Sequence, residues 1–323
     1  MKKTSVLVLS SPDDPQLSML DELRDAARFV IGDSLAVLKE PAAGAEVIFN
    51  WSGSLALFRD VFLKCPGVRW VHSRSVGLER TLFPELIASN ATLTNGSGVF
   101  SPALGEFAIA AILYFAKDFR RMVRNQMAGL WEAFDVTLVS GKTVGIVGYG
   151  DIGRAVASRA RALGTKVVAL KRHVSGADTP DPLADRLYGP DRLTEMLSLC
   201  DYVVVATPLT AETRDLIAER EFASMKETAV IINVGRGPVI NDSAMVRALT
   251  SEKIKGAALD VFDREPLPAN HPFYKLENVL LSPHCADHTP DWLENAMRFF
   301  IDQFRRFQQG EPLLNVVDKK LGY

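Results

Sequence analysis

The stretch that most restricts the fold of this chain is VGIVGYGDIGRAVASRARALG, residues 144–164. A short apolar run with buried-strand character, 144–147, leads into Gly148-x-Gly150-x-x-Gly153, and an alanine-rich helical pattern follows at once. Each glycine has a separate physical use in a strand–turn–helix unit. Gly148 permits the tight turn, Gly150 leaves no side chain in the way of a pyrophosphate, and Gly153 lets the helix pack close to the strand. The helix start offers unpaired N–H groups and the positive end of a dipole to phosphate. A glycine turn alone is a weak signal. Here a strand precedes it, a helix follows it, and a second strand pattern at 166–170 lies at the right distance. That context marks a dinucleotide-binding turn, with Gly148, Tyr149, Gly150, Asp151, Ile152 and Gly153 as its expected cofactor contacts.

In such a unit an Asp or Glu about 20 residues beyond the glycines holds the ribose 2′-hydroxyl of NAD. This chain reads VVALKRH at 167–173, so Lys171, Arg172 and His173 stand where the acid would be. An acid repels a 2′-phosphate, whereas bases pair with one through charge-assisted hydrogen bonds. NADP(H) is therefore the expected cofactor. NAD(H) is the alternative if these bases are only solvated charges at a strand end.

Short apolar runs alternate with amphipathic stretches along the whole chain, which predicts an α/β fold with parallel sheets. The first series of strands is read at 5–9, 36–38, 46–49, 68–72 and 91–94, with a helix across QLSMLDELRDAARFV that places Leu17, Leu20, Leu23 and Ala27 on one face. A long apolar helix is expected over 102–126, opening on Pro102, where a missing N–H is harmless. The second series is read at 143–147, 166–170, 202–206, 229–233, 256–260 and 279–282, followed by a last helix ending at Gly310.

At 323 residues the chain can hold two domains, each with its own core. A formal net charge of −2 points to neither nucleic acid nor a membrane surface as partner. The apolar run near the N-terminus is too short for a signal-peptide core, and 107–116 is too short to span a bilayer. Three widely spaced cysteines, Cys65, Cys200 and Cys285, suit neither a disulfide framework nor a metal site. They fit a reducing compartment, and the expected location is cytoplasmic.

Three later segments each end a strand in a polar group: INVGRGPVI with Arg236, ALDVFDREPLP with Asp260 and Glu265, and LLSPHCADH with His284. Ligands in open α/β folds gather beyond the carboxyl ends of strands. Taken singly, Arg236 could brace a loop, Glu265 could be a surface acid and His284 a satisfied cap. Together with GKTVGIVGYGDIG and TPLTAETRDLI, in this order and spacing over 141–284, they resemble the D-isomer-specific 2-hydroxyacid dehydrogenase family. The match is looser in HSRSVGLE, NGSGVFSPALGEFAIAAIL and NVVDKKLGY. The basic strand end, Trp51, Trp131 and the C-terminal ending are most similar to the glyoxylate/hydroxypyruvate reductase branch.

The resemblance implies two doubly wound parallel-sheet, Rossmann-like domains with the active site in the cleft between them. One is a flavodoxin-like substrate domain, 1–98 plus 285–323, and the other an NAD(P)-binding domain, 99–284. It implies a catalytic set of Arg236, Glu265 and His284, and chemistry supports each role. Reduction of a 2-oxo acid needs hydride at C2 and a proton on the carbonyl oxygen. An imidazole, with an ordinary pKa of about 6.5, is the natural acid, and a carboxylate beside it orients the ring and favours its charged form. The planar fork of Arg236 suits the substrate carboxylate. The backbone N–H groups of Ser75, Val76 and Gly77 are implied for the same carboxylate, and Trp51 is expected to wall a small pocket. Thr207, Pro208, Thr213, Val234 and Asp260 are implied in cofactor binding, Asp260 at the nicotinamide carboxamide. No metal is expected.

Two departures stand out. Asp287 and His288 follow His284 where small residues are usual, and they either alter the pocket or cap the next helix. Arg74, beside the carboxylate loop, is also unusual, and it either binds a second anionic group or faces solvent. The helix containing 107–116 is apolar on nearly all sides. It is expected to form a two-fold dimer, or else to be buried between two domains of one chain. Other readings are a phosphoglycerate-dehydrogenase-like enzyme using NAD and a dinucleotide-sensing interaction protein similar to the C-terminal-binding-protein corepressors. A formate dehydrogenase would carry Gln where Glu265 stands.

Overall fold

The computed structural model describes residues 3–52, 54–173 and 181–323. The chain divides into two compact units, Met1–Val99 with Thr289–Tyr323 and Phe100–His288. The first holds strands β1 (Thr4–Leu9), β2 (Ala27–Gly32), β3 (Val47–Asn50), β4 (Trp70–Ser73) and β5 (Thr92–Asn95). All pair in parallel, in the order β2-β1-β3-β4-β5. This is the flavodoxin-like order. Leu9 lies opposite Asn50, and Asn50 opposite Ser73, so the central strands end level with one another. The helix Trp292–Gln309 returns to this sheet. Its buried Met297, Phe300, Ile301 and Phe304 follow helical spacing, and Phe300 stacks on Phe49 with centroids 3.8 Å apart. Gly310, at φ 70°, stops it.

The second unit carries β6 (Thr143–Val147), β7 (Lys166–Leu170), β8 (Arg186–Tyr188), β9 (Tyr202–Val205), β10 (Val230–Asn233), β11 (Gly256–Leu259) and β12 (Val279–Leu281). They form one parallel sheet in the order β12-β11-β10-β9-β6-β7-β8. Its central strands are nearly continuous apolar runs such as YVVV and VIIN, as a sheet covered on both faces requires. The chain leaves β6 toward β7 on one side and later returns to β9 on the other. The carboxyl ends of β6 and β9 therefore bound the crevice where such sheets take ligands.

Four local expectations are corrected. Residues 36–38 lie in a helix, Leu35–Ala42, and the strand is Ala27–Gly32, inside the stretch read as helical. The expected helix there is only a 3₁₀ segment, Pro15–Leu23. β8 was not read at all, being three residues long. The helix expected over 102–126 is two helices, Ser101–Lys117 and Phe119–Met127. Asp118 separates them at φ 50°, and its side chain accepts from Arg121 N to start the second. Among the described residues no helix is long and apolar enough to cross a membrane.

Candidate active site

The glycine turn sits at the end of β6. Gly148 has φ +98°, a backbone state that L side chains rarely adopt. A Cβ there would also meet Thr207 Oγ1 at 2.7 Å. A Cβ on Gly153 would collide with the Gly148 carbonyl oxygen. A Cβ on Gly150 would meet nothing within 4 Å. The first and third glycines are thus demanded by the protein's own packing. The second leaves clear the space beside the N-terminus of the helix Asp151–Ala162, which fits a pyrophosphate. Thr207, just past β9, donates to the Val147 carbonyl at 2.8 Å and ties the two sides of the crevice together.

Other expected cofactor residues have work within the fold. The buried Tyr149 hydroxyl donates to Asp181 Oδ1 at 2.7 Å, and Arg154 pairs with Asp181 Oδ2 at 2.8 Å. Burial pushes the Tyr149 hydroxyl well above the ordinary phenol range, and its bond to Asp181 adds to this. Partial burial raises Asp181, but the Leu183 N–H, Tyr149 and Arg154 outweigh it and bring the acid down to about 2. Thr213 Oγ1 donates to the Pro208 carbonyl at 2.7 Å and accepts from Thr210 N at 2.8 Å, closing its own turn. Val234 is buried. At the end of β7, Lys171 and His173 are exposed, while Arg172 forms an ion pair with Glu212 in the loop after β9.

The chemistry-bearing loops follow three neighbouring strands: Arg236 after β10, Asp260 and Glu265 after β11, and His284 after β12. Asn233 shapes the first loop, accepting from Gly235 N at 3.1 Å and donating to the Arg236 carbonyl at 3.1 Å. A Cβ on Gly237 would overlap the carbonyl carbon of Phe262, so the Arg236 loop lies directly on the loop that carries Glu265. Glu265 Oε1 accepts from Phe262 N at 2.9 Å, and Oε2 lies 2.7 Å from His284 Nδ1. His284 itself has φ 52°. Its loop is braced by buried Asp260, whose Oδ1 accepts from Ser282 Oγ at 2.5 Å, Cys285 N at 3.0 Å and Ala286 N at 3.1 Å.

Sequence reasoning missed this bracing by Asp260, and it missed Asn233 and Ser282. The available signal was that each lies at or just past a strand end, where a polar side chain can bond the turn's own N–H groups. The capping reading of Asp287 and His288 is corrected. The residue before the helix Trp292–Gln309 is Asp291, and Asp287 Oδ1 instead lies 3.8 Å from His288 Nε2. Burial raises the Asp287 carboxyl.

In the first unit, Trp51 is buried and its indole N–H donates to Asp14 Oδ2 at 2.6 Å. Ser75, Val76 and Gly77 are half-buried just past β4, and the Val76 carbonyl accepts from Asn95 Nδ2 at 2.9 Å. Among the described residues no group of three or more His, Cys, Asp or Glu side chains is placed to hold a metal.

Residues 109–286 match the family model described as D-isomer specific 2-hydroxyacid dehydrogenase, NAD binding domain. The chain is 33% identical to a glyoxylate reductase of Thermofilum pendens over 90% of this chain and 87% of the relative. It is 27% identical to a D-3-phosphoglycerate dehydrogenase of Methanocaldococcus jannaschii over 97% of this chain and 59% of that one. Among solved structures, it is similar to a D-isomer specific 2-hydroxyacid dehydrogenase from Xanthobacter autotrophicus in complex with NADPH and MES. The identity is 27%, the TM-score 0.83, and each chain is covered in full.

Proposed function

Because the chain belongs to the D-isomer specific 2-hydroxyacid dehydrogenase family, we propose that it reduces a small 2-oxo acid, glyoxylate or hydroxypyruvate, with NADPH. The product is achiral glycolate from glyoxylate and the D-2-hydroxy acid, D-glycerate, from hydroxypyruvate. The observation that carries this reading is the 2.7 Å contact between His284 Nδ1 and Glu265 Oε2, on a loop that Asp260 braces.

The nicotinamide supplies the hydride when bound. Glu265 accepts from Nδ1 and so leaves Nε2 of His284 as the nitrogen that gives a proton to the carbonyl oxygen. In the reverse direction the same nitrogen takes the proton from the hydroxyl. Arg236 pairs with the substrate carboxylate through its planar fork. The N–H groups of Ser75, Val76 and Gly77 are assigned to that carboxylate as well. Trp51 restricts the length of the substrate side chain.

The glycine turn would hold the pyrophosphate through main-chain N–H groups, since the Tyr149 side chain is engaged by Asp181. Lys171 and Arg172 favour a 2′-phosphate. That phosphate would compete with Glu212 for Arg172. A homodimer is part of the same proposal. The apolar surface that supports it is not 107–116 but the segment after it, where Met122, Val123, Met127, Leu130, Trp131 and Leu138 are all exposed.

The test is oxidation of NADPH and of NADH, followed by the absorbance of the reduced nicotinamide. Glyoxylate, hydroxypyruvate, pyruvate and phosphohydroxypyruvate serve as acceptors. Faster turnover of the small acids with NADPH is expected, with the preference reversed or abolished in a Lys171→Ala/Arg172→Ala double variant. Equal use of NADH by the unaltered protein would refute the cofactor reading. Absence of turnover with every acid would refute the reductase.

A further inference from the structure

The first unit holds a guanidinium that none of the roles above uses. Arg74 stands directly after β4 and directly before the Ser75–Gly77 loop, and it is half-buried. Its guanidinium carbon lies over the Trp51 ring, 4.8 Å from the centroid, and over the Trp292 ring, 5.5 Å from the centroid. Stacking on indoles engages the face of a guanidinium and leaves its N–H donors at the edge. Among the described residues those donors make no hydrogen bond.

Among the described residues, the acid whose charge acts on Arg74 is Asp14. Both of its oxygens accept hydrogen bonds from other groups. Oδ1 accepts from Gln16 N at 3.2 Å, and Oδ2 accepts from Trp51 Nε1 at 2.6 Å and Ser10 Oγ at 3.4 Å. Burial lowers the pKa of Arg74, so its environment does not repay the loss of water. A second, independent observation lies one hydrogen bond away. Arg74 N donates to the Asn50 carbonyl at 3.2 Å, and the Asn50 side chain is buried with neither Nδ2 nor Oδ1 partnered. Buried polar groups without partners are rare in folded proteins. The end of β3 and β4 therefore concentrates unmet polar capacity beside the loop assigned to the substrate carboxylate.

We propose that Arg74 is a specificity residue that pairs with a second carboxylate, at the far end of the substrate, and that the enzyme favours short 2-oxo dicarboxylic acids over their monoacid counterparts. This rests on the reductase reading for its substrate, though not for the binding site itself. A planar carboxylate is the shape that a guanidinium edge receives bidentately. The indoles hold the fork in one orientation, and Trp51 keeps the site short.

The experiment compares pyruvate with oxaloacetate, which differ by one carboxylate on C3, in the unaltered enzyme, Arg74→Gln and Arg74→Lys. The unaltered enzyme is expected to have the higher kcat/KM for oxaloacetate. In Arg74→Gln that value falls by about thirtyfold or more, mostly through KM, because one partner of a desolvated charge pair is lost. Arg74→Lys keeps the charge without the fork and falls between the two. Pyruvate reduction changes by no more than about threefold in either variant, which shows that the fold is intact. Equal losses on both acids, or none, overturn the proposal.

Binding is read separately from turnover, through the fluorescence of the four tryptophans, two of which flank Arg74. Malonate should change that signal at lower concentration than acetate, and Arg74→Gln should abolish the difference. If neither of these acids is reduced, nor glyoxylate or hydroxypyruvate, but malonate still binds through Arg74, the reductase reading fails and the anion site stands. If malonate and acetate behave alike, the site fails whatever the turnover.

Discussion

Gly150→Ala separates what the fold needs from what a dinucleotide needs. Gly150 has φ −91°, which alanine adopts without strain, and an added Cβ meets no atom within 4 Å. Two small terms then act on stability. Replacing glycine at a compatible position reduces the entropy of the unfolded chain and stabilises by about 0.4–1 kcal/mol. Gly150 is also the residue that caps the helix Asp151–Ala162, where alanine is the poorer choice by about 0.5–1 kcal/mol. The terms offset each other, so Tm should move by no more than about 3 °C. Binding should respond quite differently. In the proposed binding mode, the new methyl stands where a pyrophosphate would approach the helix N-terminus. Losing or lengthening one charge-assisted hydrogen bond costs about 1.5–3 kcal/mol, a loss of affinity of roughly tenfold to a hundredfold.

The assay is a titration of NADPH by its own fluorescence, beside a thermal melt of the same sample without nucleotide. Gly153→Ala is the contrast. Its Cβ would strike the Gly148 carbonyl oxygen, so both stability and binding should fall. If Gly150→Ala binds NADPH as tightly as the unaltered chain, the steric argument is wrong. If it melts well below the unaltered chain, the open space at Gly150 is not open.

Three further outcomes follow from particular contacts. Gly237→Ala should lower Tm by several degrees, since overpacking costs about 1–3 kcal/mol, and should lower kcat/KM by about a hundredfold by moving Phe262 and with it Glu265. A melt and one kinetic run check it, and unchanged kinetics would show that the two loops move independently. Burial pushes His72 down to about 3, below the ordinary imidazole value near 6.5 in the unfolded chain. The unfolded chain therefore binds a proton that the folded one refuses. Stability present above about pH 6.5 should decline as pH falls toward 3, by up to about 1.4 kcal/mol per unit. Urea unfolding at several pH values should show this limb, and His72→Gln should flatten it. Burial likewise pushes Cys65 and Cys200 up to about 12, so a thiol reagent should titrate only the exposed Cys285 in the native protein. All three of the chain's cysteines should react after denaturation.

The second unit was the more legible of the two for a physical reason. Its strands are covered on both faces, so β7, β9 and β10 are nearly continuous apolar runs, KVVAL, YVVV and VIIN, bounded by turns, which is a signal that survives without any knowledge of neighbours. In the first unit the strand Ala27–Gly32 lies at the sheet edge and is only partly buried, and its ARFVIG continues the helical spacing of Leu17, Leu20 and Leu23 without a break. The stretch LAVLKEPA carries Pro41 inside its helix, and its residues 36–38 read as a strand for want of a long period. The break at Asp118 is set by one residue in a left-handed conformation that its own side chain then caps, and composition does not announce that.

The site shows the same division between what is local and what is assembled. The glycine turn is legible because each glycine answers a constraint within a few residues, and the geometry of Gly148 and Gly153 is what that pattern requires. The pairing of Glu265 with His284 was also legible, through the family resemblance, and the two residues follow adjacent strands of the parallel sheet. The roles of Asp260, Asn233 and Ser282 were not legible. A buried acid that accepts one hydroxyl and two main-chain N–H bonds from the next strand's loop is defined by where that loop closes, not by its own neighbours in sequence. His284 shows why the brace matters. A non-glycine residue at φ 52° is held in a sparsely populated backbone state, and only surrounding bonds keep it there. Asp260 supplies those bonds on the far side of the loop, and Glu265 fixes the ring on the near side. The imidazole is thereby oriented by two acids of which only one touches it, so Asp260, expected from the sequence at the nicotinamide, also braces the loop that carries His284.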